Sequence, residues 1–222
     1  MTPYIRNGLL ALCTMLASPA FADVAIGHVL SLTGAGSQAG REMSAGAKVY
    51  VDKVNAAGGV DGHKIVYLVR DDAGQAAQAL ARTSELIAKD HVIGLLEGAN
   101  RDNLLAVAGS GMLTQNNVPM VGMQATAQGI AAARQVGLVE VVPPQRDIEP
   151  VVDEFKHALE KYGPADLPAS AAALQGYLAA KVLVGGLRIL GPTPSRAEFY
   201  ALMRAMVVDV STSLVVSNYP SK

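Results

Sequence analysis

The stretch from Val24 to Asp72 limits the possible folds more than any other part of the chain. An apolar run, Val24 to Leu30, meets a small-residue loop, Thr33 to Gly40 (TGAGSQAG). A helical pattern follows over Ser37 to Ala56, with Met43, Ala47, Tyr50 and Val54 on one stripe and Gly46 allowing close approach. Gly58 and Gly59 stop that helix, and a second apolar run, Ile65 to Val69, ends in Asp71 and Asp72. Strand, crossover helix and strand give two parallel strands, and parallel strands need helices on their faces. The run KIVYLVR is apolar at nearly every position, so both faces of the second strand should be covered. The glycine-rich loop falls at the carboxyl end of the first strand, where open α/β sheets bind ligands.

The alternation continues. Gln75 to Lys89 reads as a helix with Ala76, Ala79, Leu80, Thr83 and Ile87 facing in, His91 to Leu96 as a third strand, Asn100 to Thr114 as one short helix, and Val118 to Met123 as a fourth strand. Gln124 to Gly137 has no strong period. Leu138 to Val142 reads as a fifth strand, ended by Pro143-Pro144. Helices are expected from Glu149 to about Lys161, from the cap Ser170 to Leu190, and from Ser195 to about Met206, and Val207 to Val216 fits a last strand. Ser170 to Leu190 is apolar almost all round, but Gln175, Lys181 and Arg188 interrupt it, which marks a buried core helix rather than a membrane span. The expected class is α/β, a parallel sheet between helix layers in an αβα sandwich.

Composition narrows the partners. A formal net charge of -1 gives no broad basic surface, so nucleic acid is excluded as a partner, and half of the chain is apolar, enough for a core. Residues 1–22 have the form of a cleavable secretory signal: Arg6, an apolar run from Gly8 to Ala17, and the small-x-small site Ala20-Phe21-Ala22 before Asp23. That run is too short to span a bilayer, so a periplasmic protein without stable membrane insertion is expected. Cys13 is the only cysteine and lies in this leader, so the mature chain has neither a disulfide nor a thiolate metal site.

Individual residues with chemistry are few. His28, His63, His91 and His157 are scattered without the i,i+4 spacing of a metal pair, and read as ordinary, so no metal or cofactor is expected. Asp71 and Asp72 read as solvated turn carboxylates at a strand end. Lys181 and Arg188 read as side chains snorkelling from the edge of a core helix. One enzymatic pattern is imitated: TGAGSQAG is similar to the TGxxxGxG loop of short-chain dehydrogenases, and Tyr177 with Lys181 to their YxxxK pair. The imitation fails at Gln38, which stands where that loop needs its second glycine, and Ser170 is too close to Tyr177 to be the usual serine.

The motifs SLTGAGSQAG, VNAAGGVDGHKIVYLVRDDAG, VIGLLEGANRDN and VPMVGMQATA, in that order, resemble the first lobe of type I, branched-chain amino-acid (leucine-binding-like) periplasmic binding proteins. The later stretches VVPPQRDIEPVVDEFKHALEKYGP and LQGYLAAKVLVGGLRILGPTPSRAEFYALMRAM resemble that family's return to the same lobe. The resemblance implies a Rossmann-like lobe and a non-enzymatic substrate-binding component of an ABC importer, with an amino acid or similar small polar molecule as ligand and a permease as partner. It places ligand contacts at Gly98, Ala99 and Asn100 after the third strand and at Gln124, Ala125 and Thr126 after the fourth. Gly98 departs from the family, where a hydroxyl residue is common. The paired cysteines of some relatives would fall near Gly74 and Glu97, so that bridge is absent.

A second departure is larger. Only Gly129 to Leu138 stands where family members build a whole second lobe. The expectation is therefore one lobe over 23–206, made of segments 23–128 and 138–206 joined at a truncated hinge, 129–137, with 207–222 as a tail remnant. One lobe buries one side of a ligand, so binding should be weak. Two other readings stay open: an interaction module that self-associates through the exposed hinge face, and a degenerate remnant.

Overall fold

Among the described residues, apolar runs build five parallel strands with helices on both faces. The computed structural model describes residues 23–34, 36–122, 138–140, 149–191 and 193–205. In chain order the elements are β1 (Val24–Leu30), α1 (Ser37–Ala56), β2 (Ile65–Asp71), α2 (Ala76–Ala88), β3 (Gly94–Leu96), α3 (Arg101–Gly109), α4 (Met112–Gln115), β4 (Met120–Gly122), β5 (Leu138–Glu140), α5 (Glu149–Tyr162), α6 (Ala171–Leu190) and α7 (Arg196–Ala205). The sheet order is β2-β1-β3-β4-β5, and every neighbouring pair is parallel. The α/β class and the parallel sheet between helix layers are as the sequence implies.

Successive strand residues serve opposite layers, because side chains alternate across a sheet. Leu96 and Val121 join Ile26 in the core beneath α1 and α6, which α5 and α7 extend through Phe155 and Phe199. Their neighbours Leu95 and Met120 join Val29 in a second core with Leu86, Val107 and Leu113. The stripe Met43, Ala47, Tyr50, Val54 is buried as its spacing requires. On α2 the inward set is Ala79, Thr83, Leu86 and Ile87, so Leu86 is buried where Leu80 and Ala76 were expected, and those two are half-buried.

The contact between α1 and α6 is made backbone to backbone. A Cβ on Gly46 would sit inside the van der Waals radius of the Ala173 carbonyl oxygen, and one on Gly176 inside that of the Met43 carbonyl oxygen. Each helix thus presents a glycine to the other's backbone. This explains why α6 can be long and apolar enough for a membrane span and still belong to a core: Tyr177, Ala180, Leu183, Val184 and Leu187 are all fully buried. Tyr50 and Phe155 pack edge-on against Tyr177, with ring centroids 5.0 and 5.3 Å away.

The ends of the helices follow local chemistry. The Ser170 hydroxyl accepts from the Ala173 amide and donates to Glu42 Oε2 across the α1–α6 contact. Ser195 and Glu198 form a reciprocal capping box at the start of α7. The Arg196 guanidinium donates to the carbonyls of Ile87 and Val92, fastening α7 to the end of α2.

Three expectations need correction. Asn100 to Thr114 is two helices, because Gly111 turns into the left-handed region (φ 76°) between them. The third strand is shorter than His91 to Leu96, since His91 itself has a positive φ and Gly94 is the first paired residue. The second strand lies at the edge of the sheet, so its residues after Ile65 are half-buried rather than covered on both sides. The leader 1–22, the hinge 129–137, and the tail 207–222 with its expected strand lie outside the described residues.

The glycine contact gives a direct test. Gly46→Ala should lower the unfolding free energy by about 3 kcal/mol or prevent folding, since the obstacle is a backbone carbonyl and cannot turn aside. Urea titration followed by circular dichroism measures it, and Gly58→Ala, placed in open space but at φ 100°, should cost less.

Candidate functional site

β1, β3 and β4 end at one edge of the sheet, and the loops that leave them form the candidate site. Gly98, Ala99 and Asn100 follow β3 and are half-buried. Gly98 lies against β1: a Cβ there would collide with the Val29 carbonyl oxygen. Any side chain at this position, a hydroxyl residue included, would displace the β1 backbone. Asn100 caps α3, its Oδ1 accepting from the amides of Asp102 (3.0 Å) and Asn103 (3.2 Å). Gln124, Ala125 and Thr126 lie outside the described residues, so the structure brings together only the first three of the six expected contacts.

Of the two aspartates at the end of β2, Asp72 is not a solvated turn residue, and Asp71, half-buried at the last position of the strand, holds the neighbouring loop. Asp72 is buried and accepts from the Ser31 hydroxyl (2.7 Å), the Asn103 amide group (2.8 Å) and the Gly74 amide (2.8 Å). It therefore joins the ends of β1 and β2 to the first turn of α3. Asp71 accepts from the Thr33 hydroxyl (2.6 Å) and from the amides of Ala73 and Leu32, and these bonds hold its carboxyl down to about 2. The glycine loop is thus pinned to β2 at its first residue, and Arg41 holds it from the other side through the Leu32 carbonyl. The pattern DDAG, two Asx residues before a small-residue turn, was the available signal for this role.

His28 is likewise not ordinary. It is fully buried in β1, with Nε2 2.8 Å from the Glu97 carbonyl oxygen and Nδ1 2.6 Å from the Tyr67 hydroxyl. A carbonyl only accepts, so Nε2 carries the proton and Nδ1 accepts from Tyr67. Burial lowers its pKa to about 4, against the opposing pull of the Glu97 bond. The ring links three strands just before the Gly98 loop begins. Glu97 is itself buried, and its carboxylate fills the space that Gly122 leaves at the end of β4.

Lys181 does not snorkel. It is ion-paired with Glu154 of α5, which also accepts from Lys53 of α1 (2.7 Å) and from the Tyr177 hydroxyl (2.9 Å). Burial opposes ionisation of Glu154, yet the two lysines hold its carboxyl at about 2. Tyr177 is fully buried, and burial together with the Glu154 charge pushes its phenol far above the ordinary range. A catalytic tyrosine needs the opposite shift and an open path to substrate. The pair imitated from the dehydrogenases is a three-helix fastening.

A recess of about 630 Å³ lies on the flank of α1 beside the free edge of β2, reaching Leu32 at one end. Its polar side chains bond to one another or to nearby backbone: Lys48 to Asp52, Asn55 to Ile65, Arg41 to Leu32. It is the open side of an edge strand. Among the described residues no three His, Cys, Asp or Glu side chains gather as a metal cluster.

A family model described as periplasmic binding protein matches residues 23–140, over half of the chain, and the chain belongs to that family, in its type I class. It is 34% identical over 118 residues to Leu/Ile/Val-binding protein homolog 3 of Brucella melitensis, covering 52% of this chain and 31% of that protein. It is 33% identical over 121 residues to the Leu/Ile/Val-binding protein BraC3 of Rhizobium johnstonii, covering 51% and 32%. The match spans about a third of the length of these curated relatives. Among solved structures, a substrate-binding periplasmic protein from Ralstonia solanacearum superposes with a TM-score of 0.68 at 17% identity, over 86% of this chain and 92% of that one. The branched-chain amino acid transporter substrate-binding protein LivJ of Streptococcus pneumoniae, solved with isoleucine, gives 0.65 at 14% identity, over 86% and 91%. At such identities these two show the fold alone.

The buried imidazole sets a pH dependence. The folded state holds His28 near 4 against about 6.5 unfolded, so its contribution is complete above pH 6.5 and is lost as pH falls toward 4. Between pH 7 and pH 5 the unfolding free energy should drop by about 2 kcal/mol from this group. In His28→Gln that part of the slope should vanish. Urea midpoints across the pH range, for both proteins, measure it.

Proposed function

We propose that this chain is the substrate-binding component of an ABC importer, works in the periplasm, and takes amino acids or similar small polar ligands to a permease. Family membership carries the reading, and the Leu/Ile/Val-binding relatives support the ligand class. A ligand carboxylate would meet the backbone amides of Gly98 to Asn100 beside the positive end of α3, with the Thr126 hydroxyl as a further donor, and a ligand ammonium would meet loop carbonyls. Binding rather than catalysis is favoured by the fate of Tyr177 and Lys181, both fastened to Glu154.

The site is one jaw. β4 and β5 are adjacent and parallel, with Met120 opposite Leu138, and the chain between Gly122 and Leu138 is all that connects them. A parallel crossover alone uses a dozen or more residues. That connection leaves no length for a second lobe. The relatives' alignments stop at a third of their length, whereas the superpositions reach over nine-tenths of the solved chains. A lobe assembled from both ends of a longer chain would give that difference. A closed two-jawed site of micromolar affinity is worth roughly −8.2 kcal/mol, and half of it is worth roughly a millimolar constant.

Calorimetry of the purified monomer with leucine, isoleucine and valine tests this. The expected dissociation constant is roughly millimolar. A micromolar constant would overturn the single-jaw reading, and no heat with any amino acid at saturation would overturn binding itself. N-terminal sequencing of the protein recovered from the periplasm should begin at Asp23, one residue before β1.

A further inference from the structure

We infer that a single buried water molecule is a built-in part of this lobe, held between Thr83 of α2 and Asp72 directly beneath the Gly98–Asn100 loop. Thr83 is fully buried, and its Oγ1 has no hydrogen-bond partner among the described residues. A helical threonine usually satisfies its hydroxyl on the carbonyl one turn earlier, and this one does not. Leaving a buried hydroxyl unpaired is costly.

The space in front of it explains how the cost is avoided. Thr83, Asp72, Asn100, Asn103 and Gly98 line a small cavity of about 20 Å³. A water needs roughly 10–15 Å³ of such space and two to four polar partners. Asp72 supplies one. Its Oδ1 accepts from Ser31 and Gly74, whereas Oδ2 accepts from Asn103 alone, which leaves an acceptor direction open. The water accepts from the Thr83 hydroxyl and donates one of its protons to Asp72 Oδ2, which gives it two polar partners. The remainder of the lining, Val29, Val107 and Met120 among them, is apolar, which keeps a second water out.

The inference is independent of what the lobe binds. Its test is a high-resolution crystal structure together with the melting temperature of Thr83→Val, which keeps the shape and removes the hydroxyl. A full-occupancy water within hydrogen-bond distance of Thr83 Oγ1 and Asp72, and a melting temperature lowered by about 2–4 °C in the variant, is the expected pair of results. A dry cavity with Oγ1 turned to the Ala79 carbonyl would overturn the inference, whatever the variant's stability. So would a raised melting temperature, because removing an unpaired hydroxyl stabilises. A peak at metal-coordination distances, with stability rising on sodium replacing choline, would overturn it in favour of a cation.

Discussion

The mutual glycine contact between α1 and α6 is the constraint on which the rest of the lobe depends. Two helices whose backbones touch have a fixed separation and register, because neither side can yield by rotating a side chain. That contact places Tyr177 between Tyr50 and Phe155, and it sets Lys53 and Lys181 at the reach of a single carboxylate on α5. It also determines how closely the helix layer lies on β1, β3 and β4, and so where those strands deliver their loops. The site inherits its geometry from a contact on the opposite side of the sheet from α3.

Below the loops the same task falls to two consecutive carboxylates. Asp71 faces the glycine loop and Asp72 faces α3, since neighbouring strand residues point to opposite faces. One short sequence thus organises two of the walls of the candidate site. Neither aspartate needs to touch a ligand for its loss to disturb one.

Much of this was readable in the residues. Periodicity located β1 and α1, and the small residue at 46 announced a close helix contact, because these depend on patterns along one element. What was missed depends on partners far apart in sequence. Nothing near His28 says that Tyr67 and the Glu97 carbonyl will close over it, and nothing near Lys181 names Glu154 as its counterion. The edge position of β2 is set by strand order, which an apolar run such as IVYLVR does not encode. Of the candidate site, the position after β3 was readable as a strand-end loop, but the limit on a side chain at 98 lies in the Val29 carbonyl on another strand. Thr126 and its neighbours rest on the resemblance.

The Arg196 clasp on the end of α2 carries a consequence for biogenesis. During synthesis α1 and α2 emerge long before α6 and α7, which bring the glycine contact and the Arg196 clasp. Ile87 and Arg196 stand 109 residues apart, so the clasp cannot close until that much more chain has emerged. Contacts between residues so distant bear the entropy of closing a long loop, so the packing of α1 and α2 is completed only once both partners exist.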